Sequence, residues 1–561
     1  MCRPGGVFST HRAILTPPSS RPRWARGLAY DGAPTHHLGR SGPLPLSHLR
    51  DSTLTAWRDG RVRWGVLGAL LMAVGAHTPL FLPRINPLQD VPGLRWLLTP
   101  EGTVLATVLL LAGTIALVTA WLRIRPRSDR PTPPMRATIL LWSVPLLLAP
   151  PLYSHDAYSY AAVGWMHENN LNPYEMGPGA VSGYFRQQVD PFWLLTPTPY
   201  GPLALEIQRW IVVLVGDHPY LAAVAMRLMA MAGVVMMLWA IPRLARWVGV
   251  RGDLALWWGV ANPLTIMHFV GGAHNDALMV GLLAVALWVC TRGGPWQSLV
   301  IGAVLIAAAA AVKQPAAVAL LGTTALCTAR LHPEVLSTHR ASLLPTSGEP
   351  WLSQAWPDVK KLLLPSVVAA VVFSASFALI TWATGLGYGW LPALSVPGMA
   401  AGLSPISLVG GLLASALAAI GLGDAAPVVK DALKYAAMAV TAALVLLASV
   451  RVLRIGGIAF TAWTLLIVAL LGQTVHPWYI LWGLPLLPLA GMRPEVERSA
   501  LWLTFAVVAY SLFDTGARSG QVVIGLACVV VLFFIFRDRP IPEGGTPSGH
   551  RLHLPEDDVR P

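Results

Sequence analysis

Eight consecutive residues, Tyr153-Ser154-His155-Asp156-Ala157-Tyr158-Ser159-Tyr160, bring together a carboxylate, an imidazole and three phenols. They follow directly on an apolar run, Ala137 to Leu152. A carboxylate so placed can accept the proton of a hydroxyl nucleophile. Three further polar sites interrupt apolar sequence: His274-Asn275-Asp276 after Gly271-Gly272-Ala273, Lys313-Gln314, and His476-Pro477-Trp478-Tyr479. Ionisable groups within or beside membrane spans are costly, and they face a bundle interior or a water-filled cavity. The four sites are therefore expected to converge.

Composition requires elements that hold such groups in a bilayer. The 561 residues are 55% hydrophobic and 12% charged, where soluble chains carry about 25% charged residues. This predicts an all-α polytopic membrane protein. Its 23 Trp suit both interfacial belts and sugar contact. Apolar runs place spans near 64–83, 102–122, 136–152, 219–241, 253–271, 274–291, 298–312, 315–330, 361–384, 430–451, 457–474, 478–491, 499–513 and 519–536. Residues 1–63 hold ten Arg and three acids and are rich in Pro, Ser and Gly. They read as a disordered basic cytoplasmic tail, without the apolar core of a signal peptide. Residues 538–561 read as a second cytoplasmic tail. The positive-inside rule explains the basic tail without nucleic acid. The four Cys have no metal spacing and suggest no disulfide framework.

Charge orients the bundle. Arg123, Arg125, Arg127, Arg130 and Arg136 crowd one loop. Arg243, Arg246 and Arg251 mark a second, Arg330, Arg340, Lys360 and Lys361 a third, and Arg451 with Arg454 a fourth. All are expected in the cytoplasm. The 153–218 loop has six acids against Arg186 and Arg209, and is expected outside. With the N-terminus inside, fourteen crossings satisfy these positions and bring all four polar sites to the outer face. Counting 404–422 as a crossing would put Arg451 and Arg454 outside, so it reads as a re-entrant or interfacial pair of short helices. Pro315 should break the 298–330 stretch beside Lys313. One long kinked helix is the competing geometry.

Each site has a purely structural alternative. Asp156 could be a helix N-cap, His274-Asn275-Asp276 a polar turn, Lys313 a snorkelling lysine, and His476, Trp478 and Tyr479 an aromatic belt. Asn172-Pro173-Tyr174 and Thr198-Pro199-Tyr200-Gly201-Pro202 give the outer loop a stiff, ring-bearing surface. It suits the C–H faces of a sugar, or serves as a rigid cover. There is no phosphate-binding P-loop, no DxD motif on a soluble domain, and no stretch able to house a nucleotide fold. A donor would then come from the lipid phase.

The stretch Leu140–Tyr160 closely resembles the actinobacterial polyprenol-phosphate-mannose-dependent α-1,6-mannosyltransferases of the MptA/MptB type, closer to MptB. So do Asn172–Tyr174, Thr198–Pro202, Ala261–Leu264, His274–Met279 and Pro477–Trp482. The similarity runs in order over about residues 64–540. It implies a GT-C glycosyltransferase bundle of about 13–14 transmembrane helices with a long first catalytic outer loop. It also implies a plasma-membrane location, an active site on the extracytoplasmic face, a polyprenyl-phosphate-mannose donor, and an α-1,6-mannan acceptor of lipomannan or lipoarabinomannan. Asp156 stands at the position of the usual catalytic acid of this class. His476 and Gln314 stand where relatives can carry other residues.

The expected reaction is one inverting displacement. Asp156 takes the proton of a mannosyl 6-hydroxyl, oriented by His155 or His274. A cation steadies the departing polyprenyl phosphate, Lys313 first and His476 second. Tyr158, Tyr160, Asn172, Tyr174, Tyr200, Asn275, Asp276, Gln314, Trp478 and Tyr479 complete the expected substrate surface. No metal or cofactor is expected. A transferase for another polyprenyl-phosphate sugar, such as arabinose, and a glycolipid flippase remain the alternatives.

Overall fold

A computed structural model describes residues 46–83, 86–333, 351–393 and 404–537. The basic residues 1–45, Arg340 and the tail 538–561 lie outside the described residues. Two units are distinguished, Met1–Arg50 and Asp51–Pro561, and the second carries the apolar helices and the polar motifs. The described residues are helical, with no strand among them.

Among the described residues six helices are long and apolar enough to cross a membrane: Pro100–Arg123, Pro219–Val248, Pro295–Val312, Ala355–Thr384, Gly423–Val450 and Pro494–Arg518. A pair bent by 110°, Thr265–Gly271 with Asp276–Val289, makes a seventh if it is one span. Shorter apolar helices supply other expected spans, among them Met135–Leu146, Gly457–Leu471, Pro477–Ala490 and Val522–Arg537. The chain is thus a multi-pass membrane protein whose spans are broken where the polar motifs fall. Proline and glycine interrupt helices, and buried surroundings re-satisfy the freed backbone groups.

Two expectations are corrected. Residues 46–63 are not part of a disordered tail: helices run over Leu46–Arg58 and from Gly60. The Asp59 side chain caps the second by accepting from Arg61 N, and Ala56 and Val62 bury themselves with Ala137. Residues 404–422 hold one helix, Pro405–Ala419, rather than a pair, capped by the Ser404 hydroxyl.

The break at Lys313 is present. Helix Pro295–Val312 stops, Lys313 is extended (φ −152°, ψ 121°), and a 3-10 turn, Gln314–Val318, leads into Ala319–Leu331. Ion pairs join the ends of spans. Arg125 donates to Glu497 at 2.6 Å and Arg454 to Asp358 at 2.8 Å. These bonds tie the start of Pro494–Arg518 to the arginine-rich 123–136 loop, so its far end, Arg518, falls on the side of Asp156.

Two close approaches seat the site. A Cβ on Gly233 would collide with the carbonyl of Ala277, so only glycine lets helix Arg227–Val248 lie against Asp276–Val289. Gly201 meets the Ala311 carbonyl in the same way, and its N–H donates to Val312 O at 3.2 Å. That contact docks the Pro199–Pro202 turn onto the end of the helix before Lys313.

Candidate active site

Helix Asp156–Glu168 begins at Asp156, but the Asp156 carboxylate does not cap it. The Ser154 hydroxyl accepts from Asp156 N at 3.0 Å instead. All the carboxylate's contacts fall on Oδ2: Tyr160 Oη donates at 3.3 Å, Tyr200 Oη at 3.5 Å, and His274 Nδ1 stands at 3.5 Å. Oδ1 has no hydrogen-bond partner among the described residues. These contacts are at the long end for hydrogen bonds. Burial works against the charged form of Asp156. The His274 hydrogen bond, with the Lys313 ammonium nearby, outweighs it and holds the carboxyl below its ordinary range.

The backbone entering this site is strained. Tyr153 (φ 61°) and Ala273 (φ 57°) occupy the left-handed region, uncommon for residues other than glycine. Tyr153 is held there by its hydroxyl, 2.5 Å from Thr114 Oγ1. Arg227 fastens both approaches. Fully buried, its guanidinium donates to the carbonyls of Val270 (2.9 Å), Gly271 (2.7 Å), Pro150 (3.1 Å) and Leu147 (3.4 Å). Leu152 N also donates to Gly271 O at 3.1 Å. The segments leading to Asp156 and His274 are thereby held edge to edge.

Asp276 and Lys313 form a second layer. Lys313 Nζ lies 2.8 and 2.9 Å from the two Asp276 oxygens, and Trp482 Nε1 donates to Oδ1 at 2.5 Å. The ammonium is also 4.5 Å from the ring of Tyr479, 5.5 Å from Trp482 and 5.6 Å from Tyr200. Gln314 donates to Pro199 O at 3.0 Å. Asn275 Oδ1 lies 3.4 Å from Tyr160 Oη as the alternative acceptor of its one proton, while Asn275 Nδ2 and His274 Nε2 are buried without partners among the described residues. His476, Trp478 and His274 stack in a column, with ring centroids 4.6 and 3.7 Å apart. Burial pushes the His476 imidazole down to about 4, so it is neutral at neutral pH.

The expected residues separate into those brought together and those held apart. Asp156, Tyr160, Tyr200, His274, Asn275, Asp276, Lys313, Gln314, His476, Trp478 and Tyr479 form one connected cluster. His155 turns away from Asp156, with Nε2 2.6 Å from Leu80 O and Nδ1 3.2 Å from Arg518 Nη2. His274, not His155, orients the carboxylate. Tyr158 donates to Phe81 O at 2.5 Å, and Tyr174 to Tyr200 O at 2.9 Å. Asn172 closes a turn with Tyr174 N and donates to Glu175.

A cavity of about 350 Å³ opens beside the cluster. Asp156 and His155 form one wall, His476 to Trp478 a second, and Asp190, Phe192 and Trp193 of the 153–218 loop a third. Tyr510, Ser511, Asp514 and Arg518 form the fourth, from helix Pro494–Arg518. Lys313 and Asp276 do not line it. The third and fourth walls and Arg227 escaped sequence reasoning. A basic residue at the end of a span that the charge pattern expects outside, against the positive-inside bias, was the available signal for Arg518. Among the described residues no group of three or more His, Cys, Asp or Glu is arranged to hold a metal ion.

Residues 62–330, which include Asp156, His274–Asp276 and Lys313, match the family model described as alpha-(1->6)-mannopyranosyltransferase, N-terminal domain. Alpha-(1->6)-mannopyranosyltransferase A of Mycobacterium tuberculosis is 30% identical over 545 residues, covering 94% of this chain and 98% of the relative. A probable alpha-(1->6)-mannopyranosyltransferase of Mycolicibacterium smegmatis is 32% identical over 84% of this chain and 86% of its own length. Alpha-(1->6)-mannopyranosyltransferase B of Corynebacterium glutamicum is 30% identical over 80% of this chain and 74% of its own. Identity does not favour the B relative over the A relative of M. tuberculosis, and no solved structure matches. Similarity that spans nearly the whole chain, and includes the residues around Asp156, makes this protein a member of the alpha-(1->6)-mannopyranosyltransferase family.

Proposed function

We propose that this protein transfers mannose from polyprenyl-phosphate-mannose to the 6-hydroxyl of a growing α-1,6-mannan glycolipid, the core of lipomannan and lipoarabinomannan. The site faces the outer side of the plasma membrane. The carrying observation is Asp156: Oδ2 is held by two phenols and an imidazole, Oδ1 has no partner, and the group lines a cavity. The names of the relatives support the sugar and the linkage. A volume of about 350 Å³ is of the size of small-ligand pockets.

In the proposed step the acceptor O6 attacks the anomeric carbon, and its proton passes to Asp156. The C1–O bond to phosphate breaks, and its electron pair leaves with the polyprenyl phosphate. One displacement inverts the centre, converting a β-linked donor into an α-linked product. Tyr160, Tyr200 and His274 hold the base in place. Lys313, engaged by Asp276, keeps the second layer together and adds positive charge near Asp156. His476, backed by Trp478, offers a ring face to the sugar.

The test is transfer in detergent with purified protein, defined polyprenyl-phosphate sugars and a short α-1,6-mannoside. The expected product is an α-1,6-extended mannoside formed from the mannose donor alone. Transfer from an arabinose donor, or no transfer while glycolipid moves across vesicles, would replace this reading.

A further inference from the structure

We propose that Arg518, aimed by His155, is the seat of the donor's phosphate. This rests on the lipid-phosphate donor inferred above. Sequence favoured Lys313 for that role, but Lys313 is bound by both oxygens of Asp276 and stands off the cavity wall. Among the described residues lining the cavity, Arg518 is the one lysine or arginine, against the three carboxylates of Asp156, Asp190 and Asp514. An anionic headgroup entering there meets a carboxylate on three of the four walls, and Arg518 is the cation that offsets them.

The geometry suits a phosphate on a lipid. Arg518 ends the 25-residue apolar helix Pro494–Arg518, at the depth where a span meets the headgroups. Its nearest carboxylate, Asp514 Oδ2, is 3.8 Å away, compared with 2.8 Å between Lys313 and Asp276. Arg518 Nη2 donates to His155 Nδ1 at 3.2 Å, which requires the His155 proton on Nε2, where it faces Leu80 O at 2.6 Å. One imidazole thus fixes one edge of the guanidinium and leaves other N–H groups of the fork for phosphate oxygens. His155 and Asp156 are adjacent in sequence, yet their side chains diverge, one to the cation and one to the base. The motif therefore places the base and the leaving-group cation on one cavity from a single turn of chain. During transfer the pair of electrons from the broken C1–O bond collects on the phosphate, and Arg518 is positioned to stabilise it.

The experiment uses full-length protein in detergent with farnesyl phosphate as probe and farnesol as the control without phosphate. Binding is read by thermal stabilisation, independently of turnover, alongside competition against the mannose donor. Wild type should bind farnesyl phosphate and not farnesol. Arg518→Met should weaken that binding about tenfold or more, and lower donor kcat/KM by about 10²–10³-fold. Arg518→Lys should fall between, since the charge remains and the fork is lost. His155→Ala should raise the probe's inhibition constant with a smaller loss in kcat. Unchanged farnesyl phosphate binding in Arg518→Met overturns the proposal. Should that variant not fold, unchanged binding in Arg518→Lys overturns it equally. Loss of transfer in Asp156→Asn with normal probe binding in Arg518→Met would leave the transferase reading intact and remove the phosphate seat. Arg518-dependent binding without sugar transfer would do the reverse.

Discussion

Lys313 Nζ sits 2.8 Å from Asp276 Oδ1 and 2.9 Å from Oδ2, deep within a ring of Tyr200, Tyr479 and Trp482. Both partners are buried, so each charge is tolerated because of the other. The pair links the break after helix Pro295–Val312 to the start of helix Asp276–Val289. It is the joint between two broken segments as well as part of the site's electrostatics.

Removing one partner should therefore be costly. Lys313→Met leaves Asp276 charged and unpaired and should destabilise the fold by about 3–5 kcal/mol. The double variant Lys313→Met/Asp276→Leu should recover much of that loss. Thermal unfolding of the three proteins in detergent checks this; a double variant weaker than both single ones would contradict it.

Asp156→Asn keeps the shape of the side chain and removes its basicity. The expected loss in kcat is about 10²–10⁴-fold, with little change in melting temperature. Near-normal turnover by correctly inserted protein would exclude Asp156 as the base.

The pH profile should be flat where histidine ordinarily titrates. Asp156 is held below the usual carboxylate range, so it is already ionised throughout about pH 5–8. His476 is pushed down to about 4 by burial, so it gains charge only as pH falls through that value. Neither group should impose a step on transfer in that window. An acidic limb near neutrality that vanishes in His476→Gln would show that His476 acts as a cation.

Arg227→Met removes the donor that four backbone carbonyls share. Hydrogen bonds to a charged group contribute about 1.5–3 kcal/mol each, and losing several at once should lower stability beyond the Lys313 variant. Arg227 touches neither Asp156 nor the cavity, so any kcat lost in surviving protein reports displaced backbone. Arg227→Lys should rescue only part, because an ammonium cannot span the same carbonyls.

Ala273→Gly should act in the opposite direction. Glycine adopts φ 57° without the steric cost an alanine bears, worth about 1–2 kcal/mol, partly offset by greater freedom in the unfolded chain. A small gain in melting temperature is expected, and a clear loss would mean that the alanine methyl is a needed contact.

Much of the site was legible because its signals are local. A carboxylate directly after an apolar run, a proline after a buried lysine, and a polar triplet inside apolar sequence each violate what a bilayer tolerates. Each violation marked a break that the fold contains. Tyr160 and Asp156 lie one helical turn apart, so even their contact follows from spacing. Arg227 resisted for the opposite reason: it sits in an apolar helix and binds only backbone, which no side-chain pattern advertises. The helix at 46–58 was hidden by the proline and arginine content of the segment before it.

By itself the sequence determined the helical membrane class, the breaks, and which four motifs carry polar chemistry, because burial of charge in lipid is decided residue by residue. Tertiary structure decided the pairings. Lys313 meets Asp276 across a gap of 37 positions, and Arg518 meets His155 across 363. Charge along a chain is read from composition, but which cation is already neutralised, and which one faces the cavity, depends on how the helices pack.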